Sequence, residues 1–552
     1  MNGALLVAGT HSDAGKSVVV AGICRWLARE GIGVAPFKAQ NMALNSFVTR
    51  EGAEIGRAQA MQAAAAMVEP EAAMNPVLLK PSAERTTQVV VRGKPWATAS
   101  ARSYGGMKRE LLPVVLDCLE DLRSRFDVVV CEGAGSPAEI NLRENDLANM
   151  GLARAADLPV ILVGDIDRGG LFASLYGTLA LLSPEDQSLL CGFLVNKFRG
   201  DPAVLAPGLR RLTELSGRPF LGTLPVVRGL GIDGEDSLGL DAPRPVKPPL
   251  GRDVLRVAVA RLCRISNFTD FDALAHEPGV AVRFTEAPEE VLAADLAVLP
   301  GTKATVEDLR ALRSRGLDRA FAERARRGLP TLGICGGYQM LGEGIADGVE
   351  SEGGAAGLGL LPVETVFGRD KVLARPEGRA PAFGGVTVGG YEIHHGRTHL
   401  HGGEPLFLTE GGPEGCRVGP TLGTSWHGVL ESDAFRRAFL IWIAAEGGLD
   451  WKPGDGSFAA AREAQLERLG DLIAENIDRD GLLRLVEGGA PASLPVLSSR
   501  LSESCQPSAI SGQRVADEIS PPEGPSKKYG EGQTPEPVAF ATTSTDDRRG
   551  RS

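Results

Sequence analysis

Residues 331–340 read Thr-Leu-Gly-Ile-Cys-Gly-Gly-Tyr-Gln-Met, an apolar run that ends at Cys335 and is followed by two glycines and a helix-like segment. This pattern predicts a strand, a sharp turn and a helix, with the thiol at the turn. Such a turn lifts a nucleophile out of its sheet and leaves room beside it for backbone N–H donors. A buried core thiol is the alternative, because free cysteine is among the most buried residue types.

Histidines cluster on the C-terminal side of Cys335. Five of the seven histidines in the chain lie there: His394, His395, His399, His401 and His427. A thiol nucleophile needs an imidazole that takes its proton and later protonates the departing amine. Cysteine followed by histidine on an α/β scaffold therefore predicts acyl transfer from an amide. A metal site is the alternative, because His399 and His401 are a plausible ligand pair, but no Cys, Asp or Glu stands beside them at ligand spacing.

The N-terminus contains a second candidate site. The apolar run 5–8 leads into Gly-Thr-His-Ser-Asp-Ala-Gly-Lys-Ser at residues 9–17 and then into a helical run. These are the parts of a phosphate-binding loop, in which Thr10 and Gly15 line the loop, Lys16 reaches the terminal phosphates of ATP and Ser17 holds Mg²⁺. The first glycine stands one position too early, since Thr10 occupies a place where glycine is usual. A chance match is the alternative.

Polar side chains also end several other predicted strands, at the edge where open α/β sheets bind ligands. We expect Glu132 to ligate Mg²⁺, directly or through water. We expect Asn196 to pair with the base of ATP. Contacts with substrate or phosphate are expected from the remaining residues, which are Lys38, Gln40, Asn41, Asp165 and Asp167. Solvated loops and capping carboxylates are the alternatives.

Composition narrows the class of protein. With 552 residues, 43% hydrophobic and 23% charged, the chain is an ordinary globular protein of several domains. A formal net charge of −11 argues against a nucleic-acid surface. The eight cysteines include no CxxC pair, which excludes a zinc knuckle of that type. The N-terminus reads as a strand, not as a signal peptide, and no apolar run reaches the roughly 18 residues of a membrane helix. We therefore expect a cytoplasmic protein without a membrane partner; no pattern indicates an oligomeric state.

Strands alternate with helical stretches in two successive blocks, which predicts an α/β protein with two doubly wound domains. We expect an ATP-binding, parallel-sheet domain over residues 1–230, a linker over 231–252 and a second domain over 253–450. C-terminal helices should fill 451–487. Single helices are predicted at 305–327 and 458–486. Ser, Pro, Glu and Gly dominate from about residue 488, which predicts a disordered tail over 488–552.

Two partial resemblances follow from these motifs. Residues 300–302 (Pro-Gly-Thr), the Cys335 turn and the downstream His427 together resemble a class I (triad-type) glutamine amidotransferase domain. Residues 10–17, Lys38 and residues 132–135 resemble dethiobiotin synthetase and its ATP-dependent relatives. In this order, and with residues 38–46, 163–170 and 265–272, the chain resembles the cobyric acid synthase family over about residues 1–486.

The resemblance implies ATP- and glutamine-dependent amidation of the b, d, e and g carboxylates of a corrinoid, adenosylcobyrinic acid a,c-diamide. It implies that Cys335 and His427 release ammonia from L-glutamine. Gly301 and Gly336 would supply oxyanion-hole N–H groups. Ammonia would then displace phosphate from an acyl phosphate made with ATP, with Ser17 and Glu132 holding Mg²⁺.

Two positions depart from the related families. Many class I glutaminase domains carry a glutamate two residues after the catalytic histidine, but here that residue is Val429, and the next acid is Glu431. Dethiobiotin synthetase has an aspartate ligand for Mg²⁺ in the region of residues 54–59, where this chain offers Glu54, Arg57 and Gln59. The sequence therefore names neither the group that orients His427 nor a second acidic ligand.

Two other functions compete with this one. Cobyrinic acid a,c-diamide synthase performs the same reaction on other carboxylates. Residues 38–46 favour the cobyric acid synthase family over this alternative. The other is a phosphate-loop ATPase switch with a silent glutaminase-like domain. Such switches usually carry a second lysine early in the loop, where this chain has His11.

Overall fold

The computed structural model describes residues 3–83, 86–227, 229–230, 240, 244–351 and 353–497. The strands of the N-terminal half are β1 Gly3–Gly9, β2 Val34–Phe37, β3 Gln40–Met42, β4 Ser46–Val48, β5 Glu54–Gly56, β6 Val77–Ala83, β7 Thr86–Val91, β8 Lys94–Ser100, β9 Val128–Glu132, β10 Val160–Asp165, β11 Leu190–Phe198 and β12 Phe220–Pro225. Its helices are α1 Lys16–Arg29, α2 Arg57–Ala65, α3 Ala101–Arg125, α4 Met150–Ala156, α5 Leu171–Leu181, α6 Pro184–Gln187 and α7 Pro202–Ser216.

The C-terminal half continues the α/β pattern. Its strands are β13 Leu255–Ala260, β14 Val280–Thr285, β15 Leu296–Leu299, β16 Thr331–Ile334, β17 Gly344–Ala346, β18 Ala355–Ala356, β19 Val363–Ala374, β20 Glu377–Ala380, β21 Val386–Gly389, β22 Glu392–Leu400, β23 Phe407–Thr409, β24 Gly412–Glu414, β25 Cys416–Val418 and β26 Thr421–Thr424. Its helices are α8 Asp272–His276, α9 Pro288–Ala293, α10 Thr305–Ser314, α11 Leu317–Arg327, α12 Gly336–Leu341, α13 Asp433–Glu446, α14 Phe458–Asn476 and α15 Arg479–Gly488.

The first sheet has six parallel strands in the order β12-β11-β10-β1-β9-β2. Strands β9 and β10 are buried on both faces, which explains why they read as continuous apolar runs. Because all six strands run in one direction, their carboxyl ends meet at one edge. Glu132, Asp165 and Asn196 therefore lie at the same edge as the loop that follows β1.

The second sheet has the order β14-β13-β15-β16-β26-β25, and only its last pair is antiparallel. Strand β16 lies between β15 and β26, so the residues that follow these three strands meet at one edge. These residues include Gly301, Cys335 and His427. The predicted α/β class with two parallel sheets is thus confirmed.

Two predicted helices are wrong because each is interrupted. Gly316 takes φ 76° and separates α10 from α11. Ile477 pairs with Gly222 as a β-bridge and separates α14 from α15. Helix α14 packs on α1, where a side chain at Gly22 would come within 2.5 Å of Ile473 Cγ1. The C-terminal helices therefore complete the core of the first sheet.

Parts of the predicted linker and tail, residues 231–239, 241–243 and 498–552, lie outside the described residues. The disordered tail was predicted to begin at residue 488, and this boundary is wrong, because the structure describes residues 488–497. Leu494 and Leu497 pack against the cores of the first sheet. The Leu497 N–H donates to Gln187 Oε1 at 2.7 Å, and Arg218 donates to the Pro495 carbonyl. In the described part of the chain, no helix is long and apolar enough to cross a membrane.

A buried carboxylate joins the two halves. Glu54 accepts hydrogen bonds from Lys80 at 2.6 Å and from Lys371, on β19 of the C-terminal half, at 2.5 Å. Burial alone would raise the pKa of Glu54, but the two lysines hold it well below its usual range. Burial lowers the pKa of Lys371 to about 8, against the attraction of Glu54. Both ammonium groups thus depend on one counter-charge.

We expect Glu54→Gln to lower the free energy of unfolding by about 3–5 kcal/mol, because two buried ammonium groups then lack a counter-charge. The deficit should shrink between about pH 6 and pH 8. Without Glu54, the folded pKa of Lys371 falls below the value of about 8 that it has in the unaltered protein. In this window the variant's unfolded state therefore binds more protons than its folded state, so the variant's stability rises with pH more than that of the unaltered protein. Urea unfolding at both pH values measures this effect.

The matched control is Glu69→Gln, which removes one partner of the exposed Arg50–Glu69 pair. We expect it to change stability by less than about 1 kcal/mol. A Glu54→Gln deficit no larger than that of the control would contradict the role given to Glu54.

Candidate active sites

Cys335 sits at a strained turn between β16 and α12. Its φ of 49° and ψ of −111° lie in a region that residues with a side chain rarely adopt. The Cys335 N–H donates to the Thr424 carbonyl at 2.8 Å, which ties the turn to the neighbouring strand. A side chain at Gly337 would meet the Leu299 carbonyl oxygen at 2.0 Å. The second glycine of the motif is therefore required for the turn to pack against β15.

The imidazole of His427 lies between the thiol and a carboxylate. His427 Nδ1 is 2.7 Å from Asp270 Oδ2, and its ring also hydrogen-bonds Cys335. The second carboxylate oxygen of Asp270 accepts the Gly428 N–H at 2.9 Å. Tyr391 stacks on the imidazole with 5.5 Å between ring centroids. Cys335, His427 and Asp270 therefore form a buried triad.

The charges of this triad support one another. Burial alone would lower the pKa of His427, but Asp270 and Cys335 raise it to about 10. Burial alone would raise the pKa of Cys335, but His427, His394 and the Gly336 N–H bring it below its ordinary value. The pair is thus stabilised as thiolate and imidazolium, and the thiolate is the reactive form of cysteine.

The two glycines predicted for the oxyanion hole flank this thiol. A Cβ atom at Gly301 would lie 2.6 Å from His427 Cε1. At Gly336 it would lie 2.7 Å from Thr302 Cγ2. Both positions therefore exclude a side chain, and the Gly336 N–H is one of the groups that lower the pKa of the Cys335 thiol.

The histidine cluster separates in space. His394 and His395 line the same cavity as Cys335 and His427. His394 Nε2 is 3.4 Å from Glu392 Oε1. His399 and His401 are exposed. Within the described residues, no three His, Cys, Asp or Glu side chains form a group that would hold a metal.

The phosphate-binding loop requires glycine at its end. Gly15 takes φ 98°, and a Cβ atom there would lie 2.0 Å from Asn196 Nδ2. The Asn196 amide donates to the Ala14 carbonyl at 2.9 Å. The predicted base-binding residue Asn196 is therefore in contact with the loop itself.

Lys16 folds back over this loop. Its ammonium donates to the carbonyls of His11 at 3.1 Å and Gly135 at 3.2 Å. The Thr10 N–H donates to the Val163 carbonyl at 3.0 Å. Thr10 Oγ1 is buried and has no hydrogen-bond partner among the described residues. The loop thus holds a lysine and a hydroxyl near its centre.

Glu132 accepts hydrogen bonds from several polar groups around the loop. Its Oε1 accepts from Ser17 Oγ at 2.8 Å and from Lys38 Nζ at 3.0 Å. Its Oε2 accepts from Gln62 Nε2 at 2.6 Å. Burial alone would raise the pKa of Glu132, but Lys38, Gln62, Ser17 and Lys16 hold it below its usual range. The carboxylate and the Ser17 hydroxyl are hard oxygen donors in contact, a set that fits Mg²⁺.

The other predicted substrate or phosphate residues already have protein partners. Their side chains contact other side chains: Gln40 with Tyr104 at 2.7 Å, Asn41 with Gln59 at 2.8 Å, Asp165 with Lys197 at 2.8 Å and Asp167 with Arg199 at 3.2 Å. Asp165 and Asp167 therefore meet cations from the end of β11 and the residue after it. A ligand would have to share or displace these contacts.

Residues 38–46, called here the connecting segment, run from one site to the other. Lys38 contacts Glu132 at one end. At the other end, the Ser46 N–H donates to Asn267 Oδ1 at 2.8 Å, and the Phe268 N–H donates to Asn45 Oδ1 at 3.1 Å. Asp270 follows two residues later. The connecting segment thus links the phosphate site to the turn that carries the triad carboxylate.

Comparison with known proteins agrees with this two-site arrangement. Residues 5–232 match the CobQ/CobB/MinD/ParA nucleotide-binding domain, and residues 256–435 match the CobB/CobQ-like glutamine amidotransferase domain. Proteins named cobyric acid synthase from Streptomyces avermitilis and Streptomyces coelicolor are each 61% identical over 505 residues, covering 90% of this chain and 99% of each relative. The chain belongs to the cobyric acid synthase family. The protein of that name from Frankia casuarinae is 57% identical over 519 residues, with the same coverage.

Membership in the cobyric acid synthase family, with both domains present, makes the chain a glutamine-dependent amidoligase that uses ATP. The lack of a glutamate two residues after His427 does not leave the imidazole without a carboxylate partner. Val429 is buried, and Glu431 turns away to Arg57 at 2.5 Å and Arg462 at 3.5 Å. Asp270 occupies the position beside the imidazole that Glu431 does not reach.

Sequence reasoning missed Asp270, although it lies in one of the stretches that carry the family resemblance. Its partner is 157 residues away, so no spacing rule points to it. The available signal is an acid between Thr269 and Phe271, inside the stretch 265–272 that carries the resemblance. Gln62 was missed in the same way: Glu54, Arg57 and Gln59 all have other partners, and Gln62 is the residue of α2 that reaches Glu132.

We expect Asp270→Asn to lower glutamine hydrolysis by roughly 10²-fold or more, because the imidazolium loses its counter-charge. The same change lowers the pKa of His427 and raises that of Cys335, so the acid limb of the pH profile should move to higher pH. Glutamate release measured against pH tests both effects.

Amidation supported by added ammonia should remain in this variant, which excludes misfolding as the cause. Glu431→Gln is the matched control, and it should leave the pH profile in place. An unchanged acid limb in Asp270→Asn would contradict the orienting role of Asp270.

Proposed function

We propose that the chain amidates the b, d, e and g carboxylates of adenosylcobyrinic acid a,c-diamide, with L-glutamine as nitrogen donor and ATP as activator. The observation that carries this proposal is the 61% identity, over 90% of the chain, to proteins named cobyric acid synthase. The triad and the phosphate loop support it because amidation needs both an ammonia source and an activated carboxylate. We assign these half-reactions to residues 253–450 and 1–230, respectively.

The glutamine half-reaction would use the triad. The Cys335 thiolate attacks the side-chain amide carbon of glutamine, and the oxygen that becomes negative faces the N–H groups of Gly301 and Gly336. The His427 imidazolium donates a proton to the nitrogen, which leaves as ammonia. A water molecule then attacks the thioester with its oxygen, and His427 takes the proton that the water loses. Glutamate leaves, and the thiolate is restored.

The ATP half-reaction would take place at the edge of the first sheet. A carboxylate oxygen of the corrinoid attacks the γ-phosphorus of ATP, ADP leaves and an acyl phosphate forms. Ammonia attacks the acyl carbon, and phosphate leaves as the amide forms. Lys16 and Lys38 supply positive charge, Thr10 and Gly15 the loop backbone. Further contacts to ATP, phosphate or corrinoid are assigned to Asn196, Gln40, Asn41, Asp165 and Asp167.

Ser17 and Glu132 are the residues that would hold Mg²⁺. Their oxygens are in contact, and Glu132 is ionised by its surroundings. When bound there, the ion would neutralise charge on the transferring phosphate. Lys38 and Ser17 both donate to Oε1 of Glu132, so the Lys38 ammonium would lie close to the phosphate groups beside the bound ion.

We expect Cys335→Ala to abolish glutamine-supported amidation and to keep ammonia-supported amidation, because only the first requires the thiolate. Amide formation is measured with each nitrogen source. Cys416→Ala, at a buried thiol outside the cavity around Cys335, is the matched control and should keep both activities. Glutamine use that survived in Cys335→Ala would rule out Cys335 as the nucleophile.

The substrate proposal is tested by counting amides. Purified protein is incubated with ATP, Mg²⁺, glutamine and either cobyrinic acid or adenosylcobyrinic acid a,c-diamide. The masses of the products are then measured by mass spectrometry. We expect four amides to be added to the a,c-diamide. Amidation of cobyrinic acid alone, at two carboxylates, would instead identify a cobyrinic acid a,c-diamide synthase.

A further inference from the structure

The cavity around Cys335 contains an ion pair that the triad does not use. Lys303 and Glu350 both line this cavity and pair with each other. Their side chains are only 7% and 12% exposed. Burying two charges is unfavourable unless they are matched, so a pair at this place needs an explanation.

Glu350 is held in the cavity wall by its own loop. Asp347 Oδ1 accepts the N–H groups of Val349 at 2.8 Å and Glu350 at 2.9 Å, and its Oδ2 accepts the Ser351 hydroxyl at 2.8 Å. Asp347 is itself buried. The loop is therefore closed by one carboxylate, while the other, Glu350, is left to face the cavity.

Lys303 is placed by the turn that also carries Gly301. Its N–H donates to the Arg264 carbonyl at 3.1 Å. Two Cα–Cα steps put its Cα atom within roughly 7.6 Å of that of Gly301. In glutamine, the side-chain amide carbon is three bonds from the carbon that bears the ammonium and carboxylate groups. Because Lys303 and Cys335 line the same cavity, the Lys303 side chain is within reach of those groups when the amide carbon lies at Cys335.

L-glutamine carries one positive and one negative charge into this cavity, and both need partners there. Glu350 is the single carboxylate among the described residues that line the cavity. The other lysines of the wall, Lys80 and Lys371, are bound to Glu54. The imidazoles are engaged as well, His427 with Asp270, His394 with Glu392 and His395 with the Gly368 carbonyl.

We propose that Glu350 binds the α-ammonium group of L-glutamine and Lys303 its α-carboxylate, and that their mutual ion pair opens when glutamine enters. One internal pair is then replaced by two pairs with the substrate, so no buried charge is left unmatched. The two residues thus select for the amino-acid end of the substrate. This inference rests on the proposed role of Cys335.

The test compares glutamine with two shortened amides. Glutaramate lacks the α-amino group, and 4-aminobutanamide lacks the α-carboxylate. In the unaltered protein, each should have kcat/KM for hydrolysis roughly tenfold or more below that of glutamine, as expected for losing a charged hydrogen bond. In Glu350→Gln, the ratio of kcat/KM for glutamine to kcat/KM for glutaramate should fall towards one. In Lys303→Gln, the ratio of kcat/KM for glutamine to kcat/KM for 4-aminobutanamide should fall towards one.

Glu404→Gln removes an exposed carboxylate outside the cavity and should keep both ratios. Ammonia-supported amidation should persist in every variant, because Lys303 and Glu350 act only on glutamine. Should a single variant fail to fold, Lys303→Glu combined with Glu350→Lys restores a buried pair of reversed polarity. We expect this protein to amidate with ammonia but not with glutamine.

Unchanged ratios in Glu350→Gln and Lys303→Gln would overturn the proposal. So would an equal loss for all three amides, which indicates a general change in the cavity, or normal glutamine use by the reversed pair. The role of Cys335 as nucleophile is tested separately. Glutamine hydrolysis in Cys335→Ala would contradict that role, whatever the results for the Lys303 and Glu350 variants.

Discussion

Two reciprocal hydrogen bonds, between the connecting segment and the turn before Asp270, set the geometry that joins the two halves. Asn45 and Asn267 each accept a backbone N–H from the other half, at 3.1 Å and 2.8 Å. Both side chains are buried, so these amides have no water to replace a lost partner. Asn267 also takes φ 51°, a conformation that its contacts must hold in place. The positions of Lys38 and Asp270 are therefore linked through a short and rigid piece of backbone.

The same physical arrangement recurs at both reactive centres. In each, a buried carboxylate hydrogen-bonds partners that themselves serve the chemistry: His427 for Asp270, and Lys38 with Ser17 for Glu132. A buried charge is tolerated only with such partners, so each carboxylate fixes the side chains around it. Groups arranged before the substrate arrives need little reorganisation during the reaction. Function and local stability thus rest on the same contacts.

The sequence predicted those features that are encoded locally. The Cys335 turn, the phosphate loop and Glu132 each combine an apolar strand with a glycine turn, and the structure brings their side chains to the edges of two parallel sheets. The features that sequence missed come from distant segments. Asp270, Gln62 and Glu350 have no motif of their own, because their roles depend on which loops the fold brings together. Likewise, the packing of α14 on α1 joins residues from opposite ends of the chain, which no periodicity reveals.

The lysines in the cavity wall have a consequence for the nitrogen released there. Ammonia in neutral water is mostly ammonium, which has no lone pair with which to attack an acyl phosphate. Lys80, Lys303 and Lys371 all line the cavity, and like charges in a poorly hydrated space disfavour one another. These three ammonium groups outnumber Glu54 and Glu350, the two carboxylates that pair with them, so the wall has an excess of positive charge. In the proposed mechanism, this excess would disfavour ammonium relative to ammonia. Because Lys80 belongs to the N-terminal half and Lys303 and Lys371 to the C-terminal half, both halves of the chain contribute to this charge.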